Sequence, residues 1–283
     1  KRITDNFTNV QLLVTGSSSF ELQSNLSEPL TGRKYEYHLY PISTAELYDS
    51  QGLLPVKQMF ESRLIYGSYP DIINHTDEAK ELLMNIANSY LYKDLLAMNE
   101  IRRPILLEKL LIALALQVGS EVSYNEVAQT IGTDNKTVEK YIDLLEKCYV
   151  IFRLNAFNRN LRTELKKSKK IYFYDNGIRN AVIQNFAPLS LRQDTGALWE
   201  NFFISERIKA NHYNGNYANS FFWRTTQQQE IDYIEEADGN FTAFEMKWNP
   251  NKRPITFPSP FLNNYPVKET VVITPENYLE WVM

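Results

Sequence analysis

Strand-like and helix-like spacing alternate in blocks along this chain. The run "QLLVTG" at 11–16 reads as a buried strand, and Arg33, Tyr35, Tyr37 and Leu39 alternate as a second strand that Pro41 stops. Helical spacing follows from about Ser43 to Asn99, interrupted by a loop at "IYGSYPDII". From Pro104 the helices come in a set order. "PILLEKLLIALALQVG" is strongly apolar, "SYNEVAQTIG" is short with Ser123 and Glu126 spaced as a capping box, and "DNKTVEKYIDLLEKCYVI" opens on Asp134 or Asn135 as its cap. Helix, short helix, tight Gly132 turn and longer helix predict a helix-turn-helix, and "CYVIFRLNAF" supplies the strand of a winged variant.

The C-terminal third returns to strands. "DTGALWENFFISERIKA" is a helix, capped by Asp194 or Thr195, with apolar residues almost all the way round, so it is predicted to be buried with Glu200 inside that surround. "SFFWRT" and "ETVVIT" are strands on either side of the hairpin "EIDYIEEADGNFTAFEMKW", whose Asp238-Gly239 is a type I′ turn signal. With those two residues as the loop, Asp232 falls opposite Glu245 and Glu230 opposite Lys247. Alternation then puts these four on one face and Ile231, Tyr233, Phe244, Met246 and Trp248 on the other. Two carboxylates directly opposite each other repel. A divalent cation is one candidate for the compensation, and a solvent-facing hairpin with Glu230 paired to Lys247 is the plainer alternative.

Composition narrows the classes. At 283 residues, with 43% hydrophobic and 13% aromatic content, the chain can bury sizeable cores in two or three domains. The single Cys148 excludes a disulfide framework and a Cys-rich zinc site, and no apolar run suits a membrane span, so the default expectation is a cytoplasmic protein without a membrane partner. His38, His75 and His212 have no metal-ligand spacing. A net charge of -4 leaves nucleic-acid contact to local clusters. One cluster is Lys136, Thr137, Lys140 and Tyr141 on the second helix of the helix-turn-helix, where Glu139, Asp143 and Glu146 oppose it. Another is the basic stretch "RNLRTELKKSKK", including Lys166 and Lys167, which suits phosphate neutralisation beside a catalytic site. DNA is the expected partner on these grounds, with a protein partner as the other candidate.

Asp232, twelve intervening residues and then Glu245-x-Lys247, after a helix carrying Glu200, resembles the PD-(D/E)xK motif of restriction-endonuclease-like nucleases. The resemblance implies Asp232 and Glu245 as ligands of a magnesium ion, Lys247 as the group that orients the attacking water, and Glu200 as an accessory ligand. Ile231 stands where the motif has its proline. "LLVTGSSSFEL", "LTGRKYEYHLYPISTAEL" and "IYGSYPDI" are similar to the second half of the P-loop module in prokaryotic AAA-like ATPases that continue into a winged helix and a nuclease-like domain. That resemblance covers essentially the whole chain. It implies nucleotide sensing by Thr15 and Ser17 and phosphate contact by Arg33 of the Gly32-Arg33 pair.

No G-x-x-x-x-G-K-[ST] phosphate cradle occurs, so ATP is expected only together with an N-terminal ATPase half missing from this chain, which opens without a start methionine close to an apolar strand. The expected fold class is α/β plus α: an ATPase remnant at 1–50, a helical segment at 51–103, a winged helix-turn-helix at 104–158 and a mixed-sheet nuclease-like domain at 159–283. Two functions fit it: a magnesium-dependent nuclease guided by the winged helix, or a non-catalytic module that holds nucleic acid or protein for the ATPase.

Overall fold

The computed structural model describes residues 9–16, 35–91, 103–158, 168–249 and 255–283. Six strands form one mixed sheet in the order β2-β1-β3-β4-β5-β6. They are β1 (Ile151–Ala156), β2 (Lys169–Phe173), β3 (Asn219–Arg224), β4 (Glu230–Ala237), β5 (Asn240–Met246) and β6 (Val267–Ile273). The pairs β1–β2, β3–β4 and β4–β5 are antiparallel, and β1–β3 and β5–β6 are parallel.

The helices are α1 (Thr44–Gln51), α2 (Leu53–Gln58), α3 (Phe60–Tyr66), α4 (Pro70–Asn74), α5 (Ala79–Asn85), α6 (Pro104–Leu116), α7 (Tyr124–Ile131), α8 (Asn135–Lys147), α9 (Asn176–Val182), α10 (Thr195–Tyr213), α11 (Ser259–Asn264) and α12 (Leu279–Val282). Ser123 caps α7 and Asp134 caps α8, each accepting a backbone N–H three residues on, and Gly132 between them adopts the left-handed conformation.

The two faces of the sheet are covered unequally. On one side, Trp199, Phe202 and Phe203 of α10 pack with Tyr172, Phe222, Tyr233 and Phe244, in a core that runs from Leu64 to Val282. On the other, Trp223, Ile231, Ile234, Phe241 and Ala243 meet Phe261 of α11. The predicted wing strand is β1, and it pairs with β3 as well as with β2. The expected division after residue 158 therefore falls inside the β1–β2 hairpin, and one hydrophobic core spans it.

Two predicted strands are not strands here. Residues 10–16 and 35–40 pair with no described strand, and Tyr35, Tyr37 and Leu39 are all exposed, Leu39 by 92%. Alternation alone does not make a strand, because its backbone groups need a neighbouring chain to bond to. His38 and Tyr40 are nonetheless anchored. The Tyr149 hydroxyl lies 2.6 Å from His38 Nδ1, the His38 and His212 rings meet edge-on at 5.1 Å, and Tyr40 stacks on Tyr174 at 5.4 Å.

Helix α10 is also tied to the N-terminal helices by buried charge. Glu206 Oε2 accepts from the Thr44 N–H and hydroxyl, both at 2.6 Å, and lies 3.3 Å from Arg63, while its Oε1 accepts from Lys209 at 2.7 Å. Arg63 also donates to Thr44 and Ser68 side chains, and the Ser68 N–H donates to Asp175 at 2.6 Å. Gly67, at φ +75, passes so close to Asp175 that a Cβ would meet its Oδ1 at 1.9 Å. Burial pushes the Glu206 carboxyl up, but Lys209, Arg63 and the Thr44 hydroxyl outweigh it and hold the carboxyl down at about 2.

Removing one member of such a network leaves a buried charge without its partner. Glu206→Gln is expected to destabilise the chain by about 3 kcal/mol in urea unfolding, against less than about 0.5 kcal/mol for the exposed Glu269→Gln. Equal midpoints for the two variants would remove the network from the account of stability.

Candidate functional site

The hairpin forms as its turn predicts. Asp238 and Gly239 have φ +51 and +77, and the pairs run from Ala237↔Asn240 to Tyr233↔Phe244 in the expected register. The regular ladder stops there. Phe221 pairs with Ile234 and Trp223 with Ile231, so β4 passes three residues where β3 passes two: a β-bulge at Asp232–Tyr233. In place of a main-chain carbonyl, Asp232 Oδ2 accepts the Met246 N–H at 3.0 Å.

The bulge corrects the predicted faces. Ile231, expected beside Tyr233, Phe244 and Met246, instead joins Ile234 and Phe241 in the opposite core. It also corrects the predicted partners. Glu230 does not pair with Lys247: its Oε1 lies 2.6 Å from Lys170 Nζ and its Oε2 3.6 Å from Arg224. Lys247 bridges Glu245 at 2.7 Å and Asp232 at 3.6 Å.

Glu200, one turn into α10, faces this cluster from the helix side. Its Oε1 accepts from the Tyr172 hydroxyl at 2.6 Å and from Lys170 Nζ at 3.2 Å. Arg224 closes the rim by binding Glu121 at 2.7 Å. Lys170 and Tyr172 were not picked out as site residues in the sequence. The signal was present in "KKIYF", where positions 170 and 172 share a face of a buried strand, and a lysine inside an apolar strand demands an acidic partner.

Five carboxylates, Glu121, Glu200, Glu230, Asp232 and Glu245, stand here against the three cations Lys170, Arg224 and Lys247. The surplus is felt in the titrations. Burial, reinforced by Asp232, pushes the Glu245 carboxyl up to about 7. Burial and Asp232 likewise raise Glu200 to about 7 against the opposing pull of Lys170. Burial lowers both lysines, yet the surrounding carboxylates win and hold each above its ordinary value, by Glu200, Glu230 and Asp232 at Lys170 and by Asp232, Glu245 and Glu200 at Lys247.

Carboxylate oxygens in excess of cations suit a hard dication at Asp232 and Glu245. The accessory role for Glu200 fits less well, because its Oε1 is already held by Lys170 and Tyr172. Among the described residues no group of three or more His, Cys, Asp or Glu is placed to hold a metal ion.

The other predicted residues lie apart from the cluster or outside the description. Lys136 and Lys140 are exposed on α8. Thr137 is half-buried and its hydroxyl donates to the cap residue Asp134 at 2.8 Å. Tyr141 is a correction: its ring is in the core, on the apolar side that α8 turns inward, so it cannot reach a groove. Asp194 is a second correction, since it makes no side-chain cap to α10 and instead pairs with Arg179 at 2.5 Å and Arg192 at 2.8 Å. Thr15 is exposed, and Ser17, Gly32, Arg33, Lys166 and Lys167 lie outside the described residues. A cleft of about 560 Å³ beside β2 is lined by Glu121, Tyr124, Glu126, Asn135, Glu139 and Lys169.

Among known proteins, residues 1–48 match an AAA domain, residues 57–189 a domain of unknown function (DUF8612) and residues 195–280 another (DUF4143). An uncharacterized protein of Haemophilus influenzae is 28% identical over 186 residues, which cover 62% of this chain and 46% of that protein. An uncharacterized protein of Mycobacterium tuberculosis is 25% identical over 244 residues (84% and 52%), and one of Methanocaldococcus jannaschii 23% over 253 (83% and 54%). The chain thus spans about half the length of the curated relatives it matches. No solved structure matches it. Among the described residues no helix is long and apolar enough to cross a membrane. The AAA match thus covers only the start of the chain, and the DUF4143 match covers α10 and strands β3 to β6.

Proposed function

We propose that this chain is the C-terminal part of an AAA-like ATP-binding protein and that Asp232, Glu245 and Lys247 form a magnesium-dependent, nuclease-type phosphodiester-cleaving site. The observation that carries the reading is the meeting of Asp232 and Glu245 on one ammonium, Lys247 Nζ, beside Glu200, at a bulge that takes Asp232 out of the regular ladder. Bulges next to active sites re-aim a side chain in this way. ATP would be bound only together with residues beyond these 283, since no phosphate cradle occurs among them.

Asp232 and Glu245 would hold the magnesium ion. When bound, such an ion polarises a phosphoryl oxygen and lowers the pKa of a bound water. Lys247, the most exposed of the cluster at 37%, is placed to give up these carboxylates for a substrate phosphate or the attacking water. Lys136 and Lys140 on α8, with Lys166 and Lys167 ahead of β2, are proposed to neutralise DNA phosphates. The cleft beside β2 is poorly suited to that task, because Glu121, Glu126 and Glu139 line it.

A second reading, a non-catalytic module that holds nucleic acid or protein for the ATPase, is favoured by one observation. The carboxylates already have lysine partners, and no group of three acids or histidines among the described residues is set for a metal.

Two measurements separate and test these readings. Labelled single- and double-stranded DNA should be cleaved in magnesium or manganese and not in EDTA, with Asp232→Ala and Lys247→Ala each slower by about 100-fold or more. Intact DNA together with no manganese heat in calorimetry would leave the binding module. Separately, Glu245 at about 7 against an ordinary 4.5 holds a proton that the unfolded chain releases, so its contribution to stability is full below about pH 4.5 and is lost as pH rises through 7. The thermal midpoint of Glu245→Gln should therefore gain on wild type by a few degrees between pH 5 and 8, and a difference that stays flat refutes the raised carboxyl.

A further inference from the structure

Lys170 is only 2% exposed, although it belongs to the most basic stretch of the sequence. Its neighbour Lys169 points the other way, with its ammonium 4.9 Å from the centre of the Tyr124 ring. The contrast follows from strand alternation: β2 sends 169 toward the cleft and 170 and 172 toward α10. Lys170 Nζ then sits between Glu230 Oε1 at 2.6 Å and Glu200 Oε1 at 3.2 Å, with the Phe222 ring centre 5.4 Å away. Tyr172 donates to the same Glu200 oxygen, and Arg224 approaches the far oxygen of Glu230. A lysine is almost never buried so fully unless it is paired, and here both partners are acids of the candidate site.

We propose that Lys170 is a tethered cation built into this site, filling the place between Glu200 and Glu230 that a divalent ion would otherwise take. Lys170 is thus a positioning residue: with Tyr172 it fixes Glu200, and it confines any bound metal to Asp232 and Glu245. The site is composite as a result. Lys170 and Tyr172 come from the segment that matches DUF8612, whereas Glu200, Glu230, Asp232, Glu245 and Lys247 come from the segment that matches DUF4143. Either segment alone lacks part of the charge balance. The single-cation count rests on the catalytic reading above, but the role of Lys170 does not.

The test counts Mn2+ ions bound per chain by calorimetry, at pH 8, for the whole chain and for Lys170→Met. Losing the ammonium leaves five carboxylates facing two cations, so Lys170→Met should bind one ion more than wild type and gain thermal midpoint with Mn2+ where wild type gains less. One ion in wild type and two in the variant upholds both the inference and the metal site. None in wild type and one in the variant upholds Lys170 while defeating the catalytic reading. Equal counts overturn the Lys170 inference, whatever wild type binds. A Lys170→Met chain that folds only when Mn2+ is supplied also supports it. If that chain stays unfolded in either condition, the same count is made on Lys170→Gln, which keeps a hydrogen-bonding side chain without the charge, and no extra ion there overturns the inference.

Discussion

Helix α10 is the constraint on which the rest depends. Trp199, Phe202, Phe203 and Ile204 are all but fully buried, each representing about 2–3 kcal/mol of apolar burial, so the helix cannot leave the sheet without exposing the core. Yet the same helix carries Glu200, Glu206 and Lys209 into that interior. Charges brought along by a helix fixed for apolar reasons must find partners where they land. Glu206 finds Arg63, Thr44 and Lys209, which docks the helices after residue 44, and Glu200 finds Tyr172 and Lys170, which docks strand β2. One buried helix thereby joins the segments that match three different families.

The second constraint is the crowding of acids at the bulge end of β4 and β5. A flat hairpin in register would have set Asp232 squarely against Glu245 and Glu230 against Lys247. The bulge breaks that ladder, hands Glu230 to the neighbouring strands and gathers Asp232 and Glu245 around Lys247. Burial, with Asp232 alongside, lifts the Glu200 and Glu245 carboxyls to about 7, and the cluster stays short by two cations.

The relation of this site to the AAA segment is set by short-range packing. His38 and Tyr40, just ahead of α1, lie against Tyr149, Tyr174 and His212, and Thr44 caps onto Glu206 a helical turn and a half beyond Glu200. Residues 38–44 thus contact α10, the helix that presents Glu200.

The sequence by itself determined what local chemistry can fix. The Asp238-Gly239 turn set the hairpin register, Ser123, Gly132 and Asp134 set the limits of α7 and α8, and apolar residues almost all the way round from Leu198 to Ile208 buried α10 with Glu200 on it. Each signal lies within a few residues of its effect. The sequence also pointed to Asp232, Glu245 and Lys247, because a hairpin turns a spacing along the chain into a contact in space.

Only the tertiary structure decided the rest. The alternation at 35–39 made no strand, for want of a bonded neighbour among the described residues, and Tyr141 went to the core because α8 packs on the side that carries it. The bulge in β4 reversed Ile231, since a single extra residue shifts every side chain beyond it to the other face. Lys170 and Glu200 stand thirty residues apart and Glu206 and Thr44 farther still. Their pairing depends on where separate elements pack, and a sequence pattern with periods of two or 3.6 carries no information about that.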